Sequence, residues 1–209
     1  MKAKRTYETN SIIVTVFEPW RKRKKNISLE VLKNIIEKNI QGVSCLALPT
    51  IFSDFKIEID YIKNFKPDYI LSLGESGNKK VELEKKAKNL INCMKKGKKI
   101  PDNNGRVILD EKIIEEGMPF YPTTLPYKNI INHAKKQGYG VYESSNAGSH
   151  VCNFLYYKLL HEFKGLETKV GFLHLSRSED VGKLTDLTYF VIDYLKKYPN
   201  GGKKWKPKY

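Results

Sequence analysis

The chain alternates short apolar runs with longer stretches in which apolar residues recur every three or four positions. Ser11 to Phe17 (SIIVTVF) is a continuous β-branched run, the pattern of a strand buried on both faces. Ser28 to Lys38 is amphipathic, with Ser28 as the expected N-cap and Leu29, Leu32, Ile35 and Ile36 as the expected inner face. Ser44 to Pro49 reads as a second strand, Asp54 to Phe65 as a helix ending before Lys66-Pro67, and Tyr69 to Leu73 (YILSL) as a strand ending at Gly74. Ile130 to Gln137 is a helix closed by Gly138, and Gly140 to Glu143 a short strand. Cys152 to Phe163 is a helix, Lys169 to Leu175 (KVGFLHL) a strand and Leu184 to Lys197 a final helix. Strands alternating with helices predict an α/β fold, a single three-layer α/β/α domain around a mostly parallel central sheet. The domain is expected over residues 1–200, with a basic tail at 201–209.

In such sheets ligands bind beyond the carboxyl ends of the strands. The loops of interest therefore follow Phe17, Leu73, Glu143 and Leu175. One of them, Ser144-Ser-Asn-Ala-Gly-Ser-His-Val-Cys152, is a polar, turn-forming stretch that delivers a cysteine to the start of a helix. A helix N-terminus carries partial positive charge and unpaired N–H groups, which favour a thiolate. A cysteine nucleophile also needs a base. His133 and His161 lie inside helices, and His150 lies two residues before the cysteine. His174, at the end of a buried strand, is the histidine a parallel sheet carries to the same edge as Cys152.

Composition narrows the classes without choosing among them. The 209 residues support one sizeable core. Three cysteines, Cys45, Cys93 and Cys152, are too few for a disulfide framework and point to a reducing, cytoplasmic setting. No signal-peptide-like run opens the chain, and no segment nears the roughly 20 apolar residues of a membrane helix, so no membrane association is expected. The net charge of +15 concentrates at Arg21 to Lys25, Lys95 to Lys99 and the tail. Charge of that kind admits a nucleic-acid or anionic-surface protein, yet no zinc-finger spacing and no aromatic-studded RNA motif accompanies it, and none is expected as a partner. No histidine–cysteine spacing calls for a metal, and no cofactor is implied.

Several short motifs, in order along the chain, resemble those of the pyroglutamyl peptidase I (pyrrolidone-carboxylate peptidase) family. Asn146-Ala-Gly-Ser-His-Val-Cys152-Asn153 is similar to that family's cysteine motif. Val14-Thr-Val-Phe17-Glu18-Pro19-Trp20 is similar to its threonine-glycine-phenylalanine-acid-proline-phenylalanine, and Leu48-Pro49-Thr-Ile-Phe52 to its second strand and turn. Lys66-Pro67-Asp68 with Leu73-Gly74, Ile100-Pro101-Asp102-Asn103-Asn-Gly105, Thr124-Leu125-Pro126 and Gly171-Phe172-Leu-His174 complete a collinear series. The resemblance implies a cysteine exopeptidase that removes N-terminal pyroglutamate from peptides through a Cys-His-Glu triad and a thioacyl-enzyme. It carries the nucleophile to Cys152, the base to His174 and the acid to Glu84, where Glu84-Lys-Lys-Ala87-Lys-Asn89 fits the family's Glu-x-x-Ala-x-Asn with one residue deleted; Glu82 is the alternative. It assigns the walls of the pyroglutamate pocket to Phe17 and Trp20, with Ile100, His150 and Val151 nearby. Relatives include tetramers and monomers, so a homo-oligomer stays open.

The chain departs from that pattern around the pocket. Arg21-Lys22 follows Trp20 where the family has Gly-Gly, and Val16 precedes Phe17 in place of glycine. Ser76-Gly77-Asn78-Lys79 stands for a Gly-Gly-Arg-like element, a short lysine-rich insertion precedes Ile100, and His150 replaces an aromatic residue. Two alternatives therefore accompany the peptidase: an inactive relative that binds peptides, and a basic interaction protein.

Overall fold

The computed structural model describes residues 11–198, so the tail at 201–209 lies outside the described residues. Ten strands and five helices follow one another as β1 (Ile12–Phe17), α1 (Ile27–Glu37), β2 (Val43–Leu48), α2 (Lys56–Phe65), β3 (Tyr69–Ser76), β4 (Val81–Glu84), β5 (Lys86–Lys88), β6 (Met94–Lys95), β7 (Lys98–Lys99), β8 (Phe120–Pro122), α3 (Tyr127–Lys136), β9 (Val141–Ser144), α4 (Val151–Glu162), β10 (Lys169–Ser176) and α5 (Val181–Lys197). Six strands form the central sheet in the order β2-β1-β3-β10-β4-β9. Every pairing in it is parallel except β10 with β4.

Strand alternation divides the interior into two cores. Ile12, Val14 and Val16 of β1 and Leu173 and Leu175 of β10 face a cluster completed by α1, α3 and α5. Ile13 and Phe17, with Val170 and Phe172, face a second cluster completed by α2 and α4. Side chains one residue apart on a strand point to opposite faces, so His174 shares the α4 side with Phe172. α4 is buried nearly all round, from Val151 to Leu160, as expected of a helix between the sheet and a covering layer of loops. Each large apolar side chain buried there is worth about 1.5–3 kcal/mol relative to exposure.

Three details differ from the sequence expectations. Helix α1 is capped by Asn26, whose side chain accepts from the Ser28 N–H at 3.0 Å; Ser28 is inside the helix and buried. Its inner face is Val31, Leu32 and Ile35, while Ile36, one position beyond that stripe, is 56% exposed. Strand β3 runs past Gly74 to Ser76, held by parallel pairing with β10, so the sheet edge lies beyond Leu73. The lysine-rich insertion is the hairpin β6–β7, which turns through Lys96 and Gly97, both with positive φ.

Candidate active site

The strand geometry places a carboxylate beside His174. In the antiparallel pair of β10 and β4, Phe172 lies opposite Glu84 and His174 opposite Glu82. Glu82 and Glu84 share a face, so register alone offers both. The side chains separate them. Glu84 is fully buried, and its Oε1 lies 2.8 Å from His174 Nδ1. Glu82 is partly exposed and accepts from the Asn78 amide at 2.7 Å. The diagonal neighbour reaches the imidazole and the direct neighbour turns outward.

The thiol arrives from α4. Cys152 is the second residue of that helix, and its side chain lies near enough to the His174 ring to raise the ring's pKa. With Nδ1 taken by Glu84, Nε2 is the ring nitrogen left for the thiol, which sets thiol, ring and carboxylate beside one another. Burial alone would lower the His174 pKa, but hydrogen bonds and charge from Cys152 and Glu84 outweigh it and push the ring up to about 10. The charged ring is thereby favoured over the neutral one.

Backbone space and cross-links hold this row. Gly74 is the register partner of His174, and a Cβ there would lie 2.8 Å from the Phe172 ring and 3.2 Å from Cys152 Sγ. A glycine leaves room for the sulfur at the sheet edge. Asn153, also fully buried, accepts from the Lys88 N–H at 2.9 Å and donates to the carbonyls of Lys88 and Leu90. Tyr156 donates to the Glu84 carbonyl at 3.0 Å. Residues at Cys152, Asn153 and Tyr156 thus tie one helix end to the segment that carries the carboxylate. Neither Asn153 nor Tyr156 stands out in the sequence as a site residue; only the presence of an asparagine beside the cysteine inside an apolar helix hints at a buried polar anchor.

A second group of residues gathers around His150, two positions before the thiol. His150, the N-cap of α4, makes no side-chain cap; its Nε2 instead donates to the Ile100 carbonyl at 3.0 Å. Its ring meets Trp20 edge-on at 6.2 Å and Phe52 at 5.0 Å between centroids. Burial first, with Lys95 adding to it, holds His150 below the usual histidine range, against the opposing pull of the Ile100 carbonyl and Asp102. Trp20 Nε1 donates to the Pro101 carbonyl at 3.1 Å. Asp102, 2% exposed, accepts from the N–H groups of Phe52, Asn104 and Arg106, which fixes the turn that presents Ile100 and Pro101. The structure brings Trp20, Ile100 and His150 into contact; Phe17 and Val151 lie beneath, buried in the same apolar cluster against which Cys152 packs. Phe52 belongs with these walls and has no role in the sequence reading beyond its place in a motif.

Among the other histidines, His133 bonds the Asn129 carbonyl and His161 the Tyr121 hydroxyl, both away from the thiol. Cys45, Cys93 and Cys152 are all free thiols. Burial pushes the Cys45 pKa up to about 11 and raises that of Cys93. Among the described residues no helix is long and apolar enough to cross a membrane.

A thiol at a helix start, backed by an imidazole and a buried carboxylate at the carboxyl edge of a mostly parallel sheet, is the arrangement of a cysteine hydrolase. The comparisons with known proteins narrow it. The family model for pyroglutamyl peptidase matches residues 10–181, and the chain belongs to that family. It is 38% identical over 171 residues to a pyrrolidone-carboxylate peptidase of Thermoanaerobacter sp. (strain X514), covering 78% of this chain and 81% of the relative. A pyrrolidone-carboxylate peptidase of Bacillus cereus (strain G9842) is 31% identical, covering 79% and 77%. The crystal structure of pyroglutamyl peptidase I from Bacillus amyloliquefaciens superposes with a TM-score of 0.80 at 25% identity, over 91% of this chain and 98% of that one. A pyrrolidone carboxyl peptidase from Fervidobacterium islandicum AW-1 gives 0.78 at 26% identity, over 90% and 99%. This chain is a cysteine peptidase.

Proposed function

We propose that the protein removes N-terminal pyroglutamate from peptides, with Cys152 as nucleophile, His174 as general acid and base, and Glu84 as the group that orients the imidazole. The observation that carries this reading is the His174 ring, bonded through Nδ1 to buried Glu84 at 2.8 Å and near enough to Cys152 for the thiol to raise its pKa.

The steps follow from that row. The Cys152 thiolate attacks the carbonyl carbon of pyroglutamate; a C–S bond forms and the C=O π pair moves to oxygen. First-turn N–H groups of α4 have no intrahelical acceptor and face the new oxyanion. The pair returns, the C–N bond breaks, and His174 delivers its proton to the leaving amine. Water then attacks the thioester, His174 takes its proton, the C–S bond breaks, and free pyroglutamate departs as the thiolate is restored. Glu84 keeps the Nδ1 proton in place throughout. For binding, the lactam has an apolar body and an amide edge. Trp20, His150 and Phe52 supply flat walls over Phe17, Ile100 and Val151, and His150, which donates through Nε2, keeps Nδ1 as an acceptor for the lactam N–H.

The altered glycines do not undo this reading. Arg21, standing where the family has glycine, adopts φ 55°, and its N–H is held by Asn103 Oδ1 at 2.5 Å. A non-glycine residue in that region costs energy and persists only where its surroundings enforce it. Arg21 thus holds a backbone conformation that a glycine would adopt freely.

The test is hydrolysis of a pyroglutamyl fluorogenic amide under reducing conditions. Wild type should turn over, and Cys152→Ser and His174→Ala should each lose about 10⁴-fold or more in kcat. Iodoacetamide near neutral pH should label Cys152 before Cys45 and Cys93, whose thiols burial keeps protonated. A folded wild type that is inert, with three equally slow thiols, would leave only a binding protein on this fold.

A further inference from the structure

The catalytic row leaves two runs of positive charge unused: the five consecutive basic residues Arg21 to Lys25, and the lysines at 95, 96, 98 and 99. They are far apart in sequence, and the structure brings both to the walls of one site. The first run leaves Trp20 directly, and the guanidinium groups of Arg21 and Arg23 lie 5.9 and 5.7 Å from the Trp20 ring centre. The Arg21 N–H and the Trp20 indole bind Asn103 and Pro101, just past the second run.

The second run is the β6–β7 hairpin, whose base is closed by the Ile100 N–H donating to the Cys93 carbonyl at 2.7 Å. That base is stitched to the residues before the nucleophile: the Asn92 N–H donates to the Ser149 carbonyl at 2.9 Å, and Ser149 Oγ donates to the Asn92 carbonyl at 2.8 Å. Lys95 stands near enough to His150 to oppose its protonation.

Local carboxylates offset only part of this charge. Glu75 is engaged by Arg23 and the Ile27 N–H, Asp102 is buried against three backbone N–H groups, and Asp110 accepts from the Asn92 amide. Glu18 is the carboxylate carried by the first loop itself. Arg21, Lys22, Lys24, Lys25, Lys95, Lys96, Lys98 and Lys99 are exposed and form no ion pair with another described residue.

From this convergence we infer that the mouth of the site selects acidic peptides, those with aspartate or glutamate in the positions just after pyroglutamate. The inference rests on the peptidase reading above. A pyroglutamyl N-terminus is a neutral lactam, so it meets no repulsion from a cationic mouth. The charge of such a peptide comes from its later side chains and its terminal carboxylate, and those must pass Arg21 and the hairpin as the lactam fills the pocket. Rings of one sign around a cleft raise the local concentration of oppositely charged substrate, and salt weakens the effect.

The experiment compares amidated peptides carrying acidic, neutral or lysine residues after pyroglutamate, plus the neutral peptide as free acid, with the neutral fluorogenic amide alongside. The ratio of kcat/KM for acidic over lysine peptide should be about tenfold at low salt and approach unity near 0.5 M salt. The free-acid arm separates a terminal carboxylate from side-chain carboxylates; a gain confined to it would overturn the selection of acidic residues. In Lys95→Gln/Lys98→Gln/Lys99→Gln the ratio should fall several-fold, and Arg21→Asn, which tolerates the positive φ, tests the other wall. A ratio taken within one preparation cancels loss of folded enzyme, and the salt series on wild type needs no variant. Equal rates at all salts, with the neutral amide cleaved, would overturn the inference and leave the peptidase intact. Single-stranded DNA that competes at low salt, with no gain for acidic peptides, would overturn it in favour of a nucleic-acid surface. No cleavage of any substrate would remove both.

Discussion

The row of Glu84, His174 and Cys152 and the rim of Trp20, Ile100 and His150 lie side by side and are held by different means. The row stands on regular elements: two paired strands and a helix start, with Glu84 fully buried and His174 at 7% exposure. The rim stands on loops, tied by single bonds such as Trp20 to Pro101, His150 to Ile100 and Arg21 to Asn103. A packed core allows few positions for a reacting group, whereas a tethered loop can exchange residues as long as its ties survive. This explains why the thiol, imidazole and acid match the family pattern while the rim departs from it. On the proposed reading the row governs turnover and the rim governs which peptide is admitted.

The comparison breaks most readily at Glu84. Glu84→Gln should lower kcat by about 10³- to 10⁴-fold, because an orienting carboxylate replaced by an amide selects the wrong tautomer. Glu82→Gln, on the same strand face but turned to Asn78, should change kcat less than about twofold. The pH profile sharpens the point. His174 is pushed up to about 10, so its proton is retained well into alkaline pH and activity should decline only there. Removing the Glu84 charge removes one of the causes, and the alkaline limb should move to lower pH. The linked stability has a definite sign. A ring whose pKa is raised on folding contributes stability that is complete below about 6.5 and lost as pH climbs through about 10. Urea midpoints between pH 7 and 10 should therefore fall more steeply for wild type than for Glu84→Gln.

Gly74→Ala probes the same row through space. Its Cβ would meet the immobile Phe172 ring at 2.8 Å and Cys152 Sγ at 3.2 Å, so something must shift. A displacement of about 1 Å at a nucleophile costs on the order of 10²-fold, and the loss should appear in kcat more than in KM. Unchanged kcat would show that the sulfur has other room.

How much of this was legible in the sequence follows the same division. Strands β1, β3 and β10 announced themselves as apolar runs because both their faces are buried, β2 as a shorter run at the half-buried sheet edge, and from them came the α/β fold and the edge where Cys152 and His174 sit. β4 did not: Val81-Glu-Leu-Glu alternates over four residues only, too few to stand out, and its place depends on pairing with a strand far along the chain, at an |i−j| of 90 for His174 with Glu84. Choosing Glu84 over Glu82 needed the motif, since strand alternation puts both on one face. The α1 cap was misplaced by two residues because Asn26 and Ser28 both suit an N-cap, and only the observed bond separates them. The rim was least legible. Phe52 and Asp102 become wall and brace through bonds between loops about 50 residues apart, with an |i−j| of 50 for Phe52 and Asp102, and no periodicity records such ties.

On the rim itself the expected effects are smaller and fall on binding. Trp20→Ala removes a wall that touches His150 and braces Pro101, and KM should rise about 10- to 100-fold with kcat within a few-fold. A large loss of kcat would show that Trp20 also sets the thiol geometry.

The smallest effect is expected at the strut between the two regions. Glu75 follows Gly74 on β3; its carboxylate pairs with Arg23 through Oε1 and accepts the Ile27 N–H at 3.1 Å through Oε2. It thus connects the strand beside the sulfur to the loop that carries Trp20. Arg23→Gln removes the ion pair alone. With Arg23 at 40% side-chain exposure, water and salt screen the pair, so KM for the neutral amide should rise only about two- to fivefold. That rise should shrink as salt is added, because salt weakens the same pair in wild type. Glu75→Gln should cost more, since an amide has one acceptor oxygen for two donors, and its effect should persist in high salt because the Ile27 N–H bond is not an ion pair. Equal, salt-independent losses in the two variants would mean that Glu75 acts only on the start of α1 and that the Trp20 loop holds itself.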